Sequence, residues 1–127
     1  MSRLEHVNIT VPDVHKTAQM LHDVFGWGIR WQGETSTGGY SMHVGDVAGY
    51  VAIYTGPGGG KLQPAPNNYL QSGGLNHIGI VVDDLDAVEA RVNAAGLSAH
   101  MHGDYEPGRR FYFNDADGIE WEVISYH

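Results

Sequence analysis

The segment LEHVNITVPDV, residues 4–14, has a similar counterpart in LNHIGIVVDDL, residues 75–85. One offset of 71 residues aligns the two copies, with five identities in the first ten positions. His6 falls on His77, and Asp13 falls on Asp84. Because a match this dense at a single offset is typical of an internal repeat, the chain is predicted to contain two copies of one structural unit.

Each copy of the repeat is followed by a helical pattern. Residues 12–27, PDVHKTAQMLHDVFGW, and residues 83–97, DDLDAVEARVNAAGL, both space their apolar side chains at helical intervals. Gly26 and Gly96 stand where a helix is expected to end. The aspartates of the repeat stand where an N-cap or a first-turn acid is expected.

Three short strand-like runs follow each predicted helix, so each half is predicted to fold as β-α-β-β-β. The runs are WGIRWQGE (27–34), GYSMHVG (39–45) and GYVAIYT (49–55), then LSAHMH (97–102), RRFYFND (109–115) and IEWEVISY (119–126). We therefore predict an α+β domain over residues 1–127, with one module at about 1–56 and the other at about 74–127. A linker joins them at about 57–73. Its stretch GPGGGK only faintly resembles a phosphate loop, because Leu62 replaces the Ser or Thr that such a loop requires.

The bulk composition narrows the classes of partner. The formal charge of −8 argues against binding to nucleic acid or to an anionic membrane, since both need a basic surface. The sequence has no apolar run long enough to span a bilayer and no signal-peptide pattern, so a cytoplasmic protein is predicted. The absence of cysteine excludes disulfides and thiolate metal sites.

Strand alternation places His6 and His77 on the sheet face that points away from the helix of each module. In the last strand it places Glu120 and Glu122 together on one face. A buried carboxylate needs a cation or hydrogen-bond donors, and two imidazoles with one carboxylate form a ligand set for a divalent metal. Two alternatives stay open: the histidines are hydrogen-bonded structural residues, or the last strand is an edge whose glutamates are solvated.

The remaining histidines show no comparable pattern and are interpreted as surface or structural residues. His100 and His102 are weaker candidates for metal binding. The alternation predicts that these two share one strand face, where they could hold an adventitious metal ion.

Three segments together resemble the vicinal-oxygen-chelate superfamily, which includes glyoxalase I, bleomycin-resistance proteins and extradiol dioxygenases. They are LEHVNITVPDV (4–14), LNHIGIVVDDLDAV (75–88) and GRRFYFNDADGIEWEV (108–123). The resemblance implies two βαβββ modules in tandem whose curved sheets close around a metal-binding cleft. It also implies that the metal ligands are His6, His77 and Glu122.

The ligand count narrows the resemblance within the superfamily. Ala52 stands where the four-ligand groups carry Glu or Gln, and residues 47–55 contain no Glu, Gln or His. The three remaining ligands resemble those of extradiol dioxygenases, which favours Fe2+, with Mn2+, Ni2+ or Zn2+ as alternatives. The turn around Ala116 departs from the dioxygenase signature. The same three ligands resemble fosfomycin-resistance thiol transferases, although Asn8 stands where those enzymes use a threonine.

The resemblance implies an enzyme of dioxygenase, lyase or isomerase type that chelates vicinal oxygens of a small molecule on the metal. Tyr112 is the candidate catalytic acid, or else a core aromatic. Asn8, Tyr54 and Arg110 are candidate substrate-binding residues, and Arg110 would hold an anionic group unless it is simply exposed. The competing hypotheses are a drug-binding protein without chemistry and a thiol transferase. A homodimer is also implied.

Overall fold

A computed structural model describes residues 1–59, 62–66 and 68–126 of the chain. It contains two compact units, Met1–Gln63 and Pro64–His127. Within those residues each unit has one α-helix and one four-stranded sheet, which confirms the predicted pair of βαβββ modules. The last two residues of the GPGGGK stretch, Gly60 and Lys61, lie outside the described residues. His127 also lies outside them. Among the described residues no helix is both long and apolar enough to cross a membrane.

The first unit begins with a strand and a helix and continues with three further strands. Its elements are β1 (His6–Thr10), α1 (Val14–Phe25), β2 (Gly28–Glu34), β3 (Tyr40–Gly45) and β4 (Tyr50–Thr55). The sheet order is β1-β4-β3-β2. The first strand runs parallel to the last, and the other pairs are antiparallel.

The second unit repeats this arrangement after a short 3-10 helix. Its elements are that helix (Asn68–Leu70), β5 (Ile78–Val81), α2 (Leu85–Ala94), β6 (His100–Tyr105), β7 (Gly108–Asn114) and β8 (Glu120–Ser125). The sheet order is β5-β8-β7-β6. The last strand of the chain therefore lies inside its sheet, so the interpretation of Glu120 and Glu122 as solvated edge residues is wrong.

Both helices begin at the aspartate of the repeat. The Asp13 carboxylate accepts hydrogen bonds from the backbone N–H groups of His15 and Lys16, and the Asp84 carboxylate accepts one from Ala87. Gly26 ends α1 in a left-handed conformation with φ of 73°. These contacts pair two of the otherwise free N–H groups at the start of α1 and one at the start of α2, and they confirm the predicted N-caps.

The core of each unit lies between its helix and one face of its sheet. α1 packs on β3 and β4, and α2 packs on β7 and β8. In the second unit the fully buried side chains of this layer are Val92, Phe111, Phe113, Trp121 and Val123. The predicted alternation is thus confirmed for β7 and β8, whose opposite face carries Arg110, Tyr112 and Glu122.

The prediction that His100 and His102 share a strand face is wrong. β6 has an irregularity between His100 and Gly103, where Met101 adopts a positive φ of 52°. The extra residue of this bulge reverses the alternation. His100 pairs with Tyr112 across the strands, whereas His102 stacks on Phe111 and approaches Glu89 of α2 at 3.0 Å.

Candidate metal centre

His77 and Glu122 meet on the open face of the second unit. His77 directly precedes β5, and Glu122 lies on the adjacent parallel strand β8, in register with Gly79. The Nε2 atom of His77 is 2.9 Å from Oε2 of Glu122. The side chain of Glu122 is only 12% exposed and that of His77 is 33% exposed, so water screens this pair weakly.

The imidazole of His77 faces an oxygen acceptor on both sides. Its Nδ1 atom lies 2.6 Å from Oδ1 of Asn76, and its Nε2 atom faces Glu122. A neutral imidazole donates only one hydrogen bond and presents a lone pair at its other nitrogen. If Nδ1 donates to Asn76, the Nε2 lone pair faces the negatively charged carboxylate of Glu122. This arrangement is favourable only when a proton or a cation lies between Nε2 and the carboxylate.

The same distance fits two ligands of one metal ion. Two donor atoms at about 2.1 Å from an ion, at a right angle to each other, lie about 3.0 Å apart. The fixed Nδ1 contact leaves Nε2 as the ligating nitrogen, as in most histidine metal ligands. No group of three or more His, Asp or Glu that could hold a metal occurs in the described part of the chain. Unit 2 therefore offers two donors.

Two further side chains lie beside the carboxylate of Glu122. Nη1 of Arg110 donates to Oε1 at 3.1 Å, and Tyr112 is the register partner of Glu122 on the adjacent strand β7. Tyr112 also lies edge-on to the His77 ring at 5.7 Å between centroids. Burial, and then the negative charge of Glu122, raise the pKa of Tyr112 above its usual value of 10.0. Its hydroxyl therefore stays protonated at neutral pH.

Glu120 is held separately by a residue that the sequence gave no reason to select. The Tyr69 hydroxyl, on the 3-10 helix, donates to Oε2 of Glu120. This hydrogen bond, followed by burial and the Glu120 charge, raises the pKa of Tyr69 from 10.0 to about 12. An isolated tyrosine in an aperiodic segment carries no pattern that predicts such a long-range contact.

The Tyr69 contact predicts a pH dependence of stability. Because the pKa of Tyr69 is higher in the folded state, its contribution is complete below pH 10 and is lost as the pH rises through about 12. The difference in unfolding free energy between wild type and Tyr69→Phe should therefore shrink above pH 10. Urea unfolding at pH 8 to 11 measures it, with the exposed Tyr126→Phe as the matched control. A difference that does not vary with pH would contradict the assignment.

His6 belongs to the first unit and has different neighbours. Its Nδ1 atom lies 2.8 Å from Oε1 of Glu5, which also accepts a hydrogen bond from the Tyr50 hydroxyl. The ring of Tyr50 stacks with those of His6 and His43, at 4.8 and 4.5 Å between centroids. Burial lowers the pKa of His43 below 6.5, which favours its neutral form. Trp31 packs against His43 at 5.0 Å.

Strand register shows which residue of unit 1 corresponds to Glu122. Asn8 pairs with Ala52 just as Gly79 pairs with Glu122, and the repeat already aligns Asn8 with Gly79. Ala52 therefore occupies the carboxylate position. His43 pairs with Ala52, in the place that Tyr112 takes beside Glu122. Unit 1 thus has imidazoles on this face but no acid at the equivalent position.

A sequence model of the family described as "Glyoxalase/Bleomycin resistance protein/Dioxygenase superfamily" matches residues 3–123. The chain belongs to this superfamily. The match includes both copies of the repeat and extends past Glu122. Membership confirms the family resemblance seen in the sequence. Among curated proteins, no significant match was found.

Solved structures of the superfamily share the fold over nearly the whole chain. A glyoxylase/bleomycin resistance protein/dioxygenase domain from Frankia sp. EAN1pec has a TM-score of 0.82 at 23% identity, covering 98% of both chains. The fosfomycin resistance protein FosX from Mesorhizobium loti has a TM-score of 0.74 at 25% identity, covering 98% of this chain and 91% of its own.

A mutant of FosX from Listeria monocytogenes was crystallised with Mn(II) and 1S,2S-dihydroxypropylphosphonic acid. Its TM-score is 0.75 at 21% identity, and the alignment covers 98% of this chain and 92% of that one. That FosX mutant therefore binds Mn(II) together with a small phosphonate. At this identity the likeness establishes only the fold of the present chain.

The predicted site residues divide between the two units. The second unit brings together His77, Glu122, Tyr112 and Arg110 on one face. In the first unit, Asn8 is exposed and pairs with Ala52, and the half-buried Tyr54 pairs with Thr10 and Ser41. Arg109, the sequence neighbour of Arg110, pairs with Asp86 of α2 at 3.1 Å.

Proposed function

We propose that the chain is a divalent-metal-dependent enzyme that binds vicinal oxygens of a small molecule. The observation that supports this most directly is the approach of the His77 Nε2 atom to Oε2 of Glu122 at 2.9 Å, a separation that suits two ligands of one ion. A metal at Nε2 and Oε2 of Glu122 would neutralise the carboxylate and use the lone pair of a neutral ring.

The proposed ligands are His77 and Glu122 of the second unit and His6, the repeat partner of His77. Fe2+ is favoured by this combination of two histidines and one carboxylate, with Mn2+, Ni2+ and Zn2+ as alternatives. When bound, the ion would act as a Lewis acid toward substrate oxygens. Tyr112, protonated and beside Glu122, would donate a proton or a hydrogen bond to the substrate. Asn8 and Tyr54 are proposed to contact the substrate.

Metal analysis tests this proposal. Protein purified without chelator is expected to contain about one divalent ion per chain. Three protein ligands, each oriented by a hydrogen-bond partner, would hold such an ion through purification. Turnover in a screen of catechols, hemithioacetals and thiol–epoxide pairs should disappear on chelation and return with Fe2+ or Mn2+. A metal content near zero after incubation with each ion would reject the proposal.

Drug sequestration without chemistry is the competing function. A binding protein of that kind would hold its ligand equally well before and after chelation, and no substrate in the screen would be consumed. The predicted homodimer and cytoplasmic location are compatible with either function. Sedimentation of the purified protein tests the dimer.

Fosfomycin resistance is a second candidate function. The supporting observation is the match to FosX from Mesorhizobium loti, at 25% identity over 98% of this chain. Phosphorus NMR tests it directly: fosfomycin is incubated with the Mn2+-loaded protein, with and without a thiol, and the spectrum is recorded after the protein and metal have been removed. A new signal only with thiol would indicate transferase chemistry, a signal in both samples would indicate hydration, and an unchanged spectrum would exclude this function.

A further inference from the structure

Arg110 has more hydrogen-bond donors than partners. Its Nη1 group donates to Glu122 at 3.1 Å. Its Nε and Nη2 groups are buried and have no hydrogen-bond partner among the described residues. An unpaired buried donor is unfavourable, and each such group in a folded protein calls for an explanation.

The two unpaired groups form one edge of the guanidinium. Nε and Nη2 point in parallel, which is the fork that matches two oxygens of a carboxylate, a phosphate or a phosphonate. The other side of the guanidinium is used by Glu122. Arg110 is thus able to hold the carboxylate with one side while it binds an oxyanion with the other.

Tyr105 covers this guanidinium. The Cζ atom of Arg110 lies 4.9 Å from the centre of the Tyr105 ring, and Tyr105 itself is 61% exposed. Gly103, the register partner of Arg110, makes room for the ring: a Cβ there would lie 2.6 Å from Cε1 of Tyr105. Because Tyr105 is an exposed side chain near the end of its strand, its ring can swing away at small cost.

We propose that the Nε–Nη2 edge of Arg110 binds an oxyanion group of the substrate after Tyr105 moves aside. This inference rests on the proposed function for the remainder of the substrate, which would contact the metal. Glu122 already offsets the charge of Arg110, so an incoming anion gains little net attraction in the metal-free protein. A divalent ion on Glu122 removes that compensation, and anion binding should therefore be tighter in the metal-loaded protein.

Titrations with methylphosphonate and with acetate test the edge directly. Heats of binding are measured on metal-free and Mn2+-loaded protein, with methanol as the uncharged control. Arg110→Lys keeps the charge but loses the fork and should weaken binding about tenfold. Arg110→Gln should weaken it at least as much. The matched control Arg109→Gln removes an arginine that pairs with Asp86 and should have no effect.

Two further variants leave Arg110 intact and so remain informative if the Arg110 variants unfold. Tyr105→Ala removes the covering ring, and Gly103→Ala displaces it. Both should tighten binding of the same anion by about threefold, because a cation–π contact no longer has to be broken. Unchanged or weaker binding in both variants would overturn the role of Tyr105 as a cover.

The outcomes separate this inference from the proposed function. If Mn2+ binds but wild type and Arg110→Lys hold both anions equally, the oxyanion site is wrong and the metal site stands. If Mn2+ does not bind while Arg110→Lys still weakens anion binding, the metal proposal fails and the oxyanion site stands. Preference for methylphosphonate over acetate would identify a tetrahedral oxyanion as the ligand, and the reverse would identify a carboxylate.

Discussion

His77→Ala is expected to weaken binding of Mn2+ or Fe2+ at least about 100-fold, because it removes a direct ligand, whereas loss of a supporting residue costs 10- to 100-fold. Glu122→Gln should have an effect of the same size, since an amide oxygen carries no charge to attract the ion. Calorimetric titration of metal-stripped protein measures both. The same variants should lose turnover in step with the loss of metal.

Two control variants make this test specific. His102→Ala removes a histidine that pairs with Glu89 on the helix side of the sheet, and Glu120→Gln changes a carboxylate held by Tyr69. Both proteins should bind metal as wild type does. If Glu120→Gln abolished binding while Glu122→Gln did not, the choice between these two glutamates would be wrong.

Trp121→Ala is expected to destabilise the second unit by about 3–5 kcal/mol, which is the range for large aromatic side chains removed from a packed core. The Trp121 ring is fully buried, stacks with Phe113 and donates from its indole nitrogen to Asp115 at 3.0 Å. The substitution would therefore leave a cavity and remove a donor from a buried carboxylate. Urea unfolding followed by circular dichroism measures the loss.

Trp31→Ala is the matched control for this prediction. Trp31 is 50% exposed on β2, so its removal should cost far less than that of Trp121. Nearly equal losses in the two variants would contradict the described burial. If Trp121→Ala lowers stability while the dependence of the unfolding free energy on urea concentration stays the same, the substitution acts on the folded state.

The βαβββ architecture was predictable because its signals are local. The repeat, the two N-cap aspartates and the strand alternation each occupy a few neighbouring residues, and all of them agree. Alternation alone placed His77 and Glu122 on the face away from the helix, before any family resemblance was used. Alternation could not predict that the two side chains are in contact, because that contact depends on the register of β5 against β8.

The contacts that depend on distant pairing were not predictable. The contact of Tyr69 with Glu120 depends on the path of the chain before β5, and the contact of Arg110 with Glu122 depends on the register of β7 against β8. No local sequence pattern encodes either feature. The failed prediction for His102 has a different cause, because one additional residue at Met101 reverses the alternation within β6. Bulges of this kind leave little trace in a sequence.

The parallel pair of β5 and β8 has a consequence for folding. These strands are the first and last of their unit, so they pair only after the intervening helix and hairpins have brought them together, and such long-range pairing is slow. His77 and Glu122 sit on this pair, and a nascent chain that still lacks β8 has no site. A ligand of the site would bind only after β8 has paired with β5, so its binding would report that the second unit has folded. Binding would also shift the unfolding equilibrium toward the folded unit.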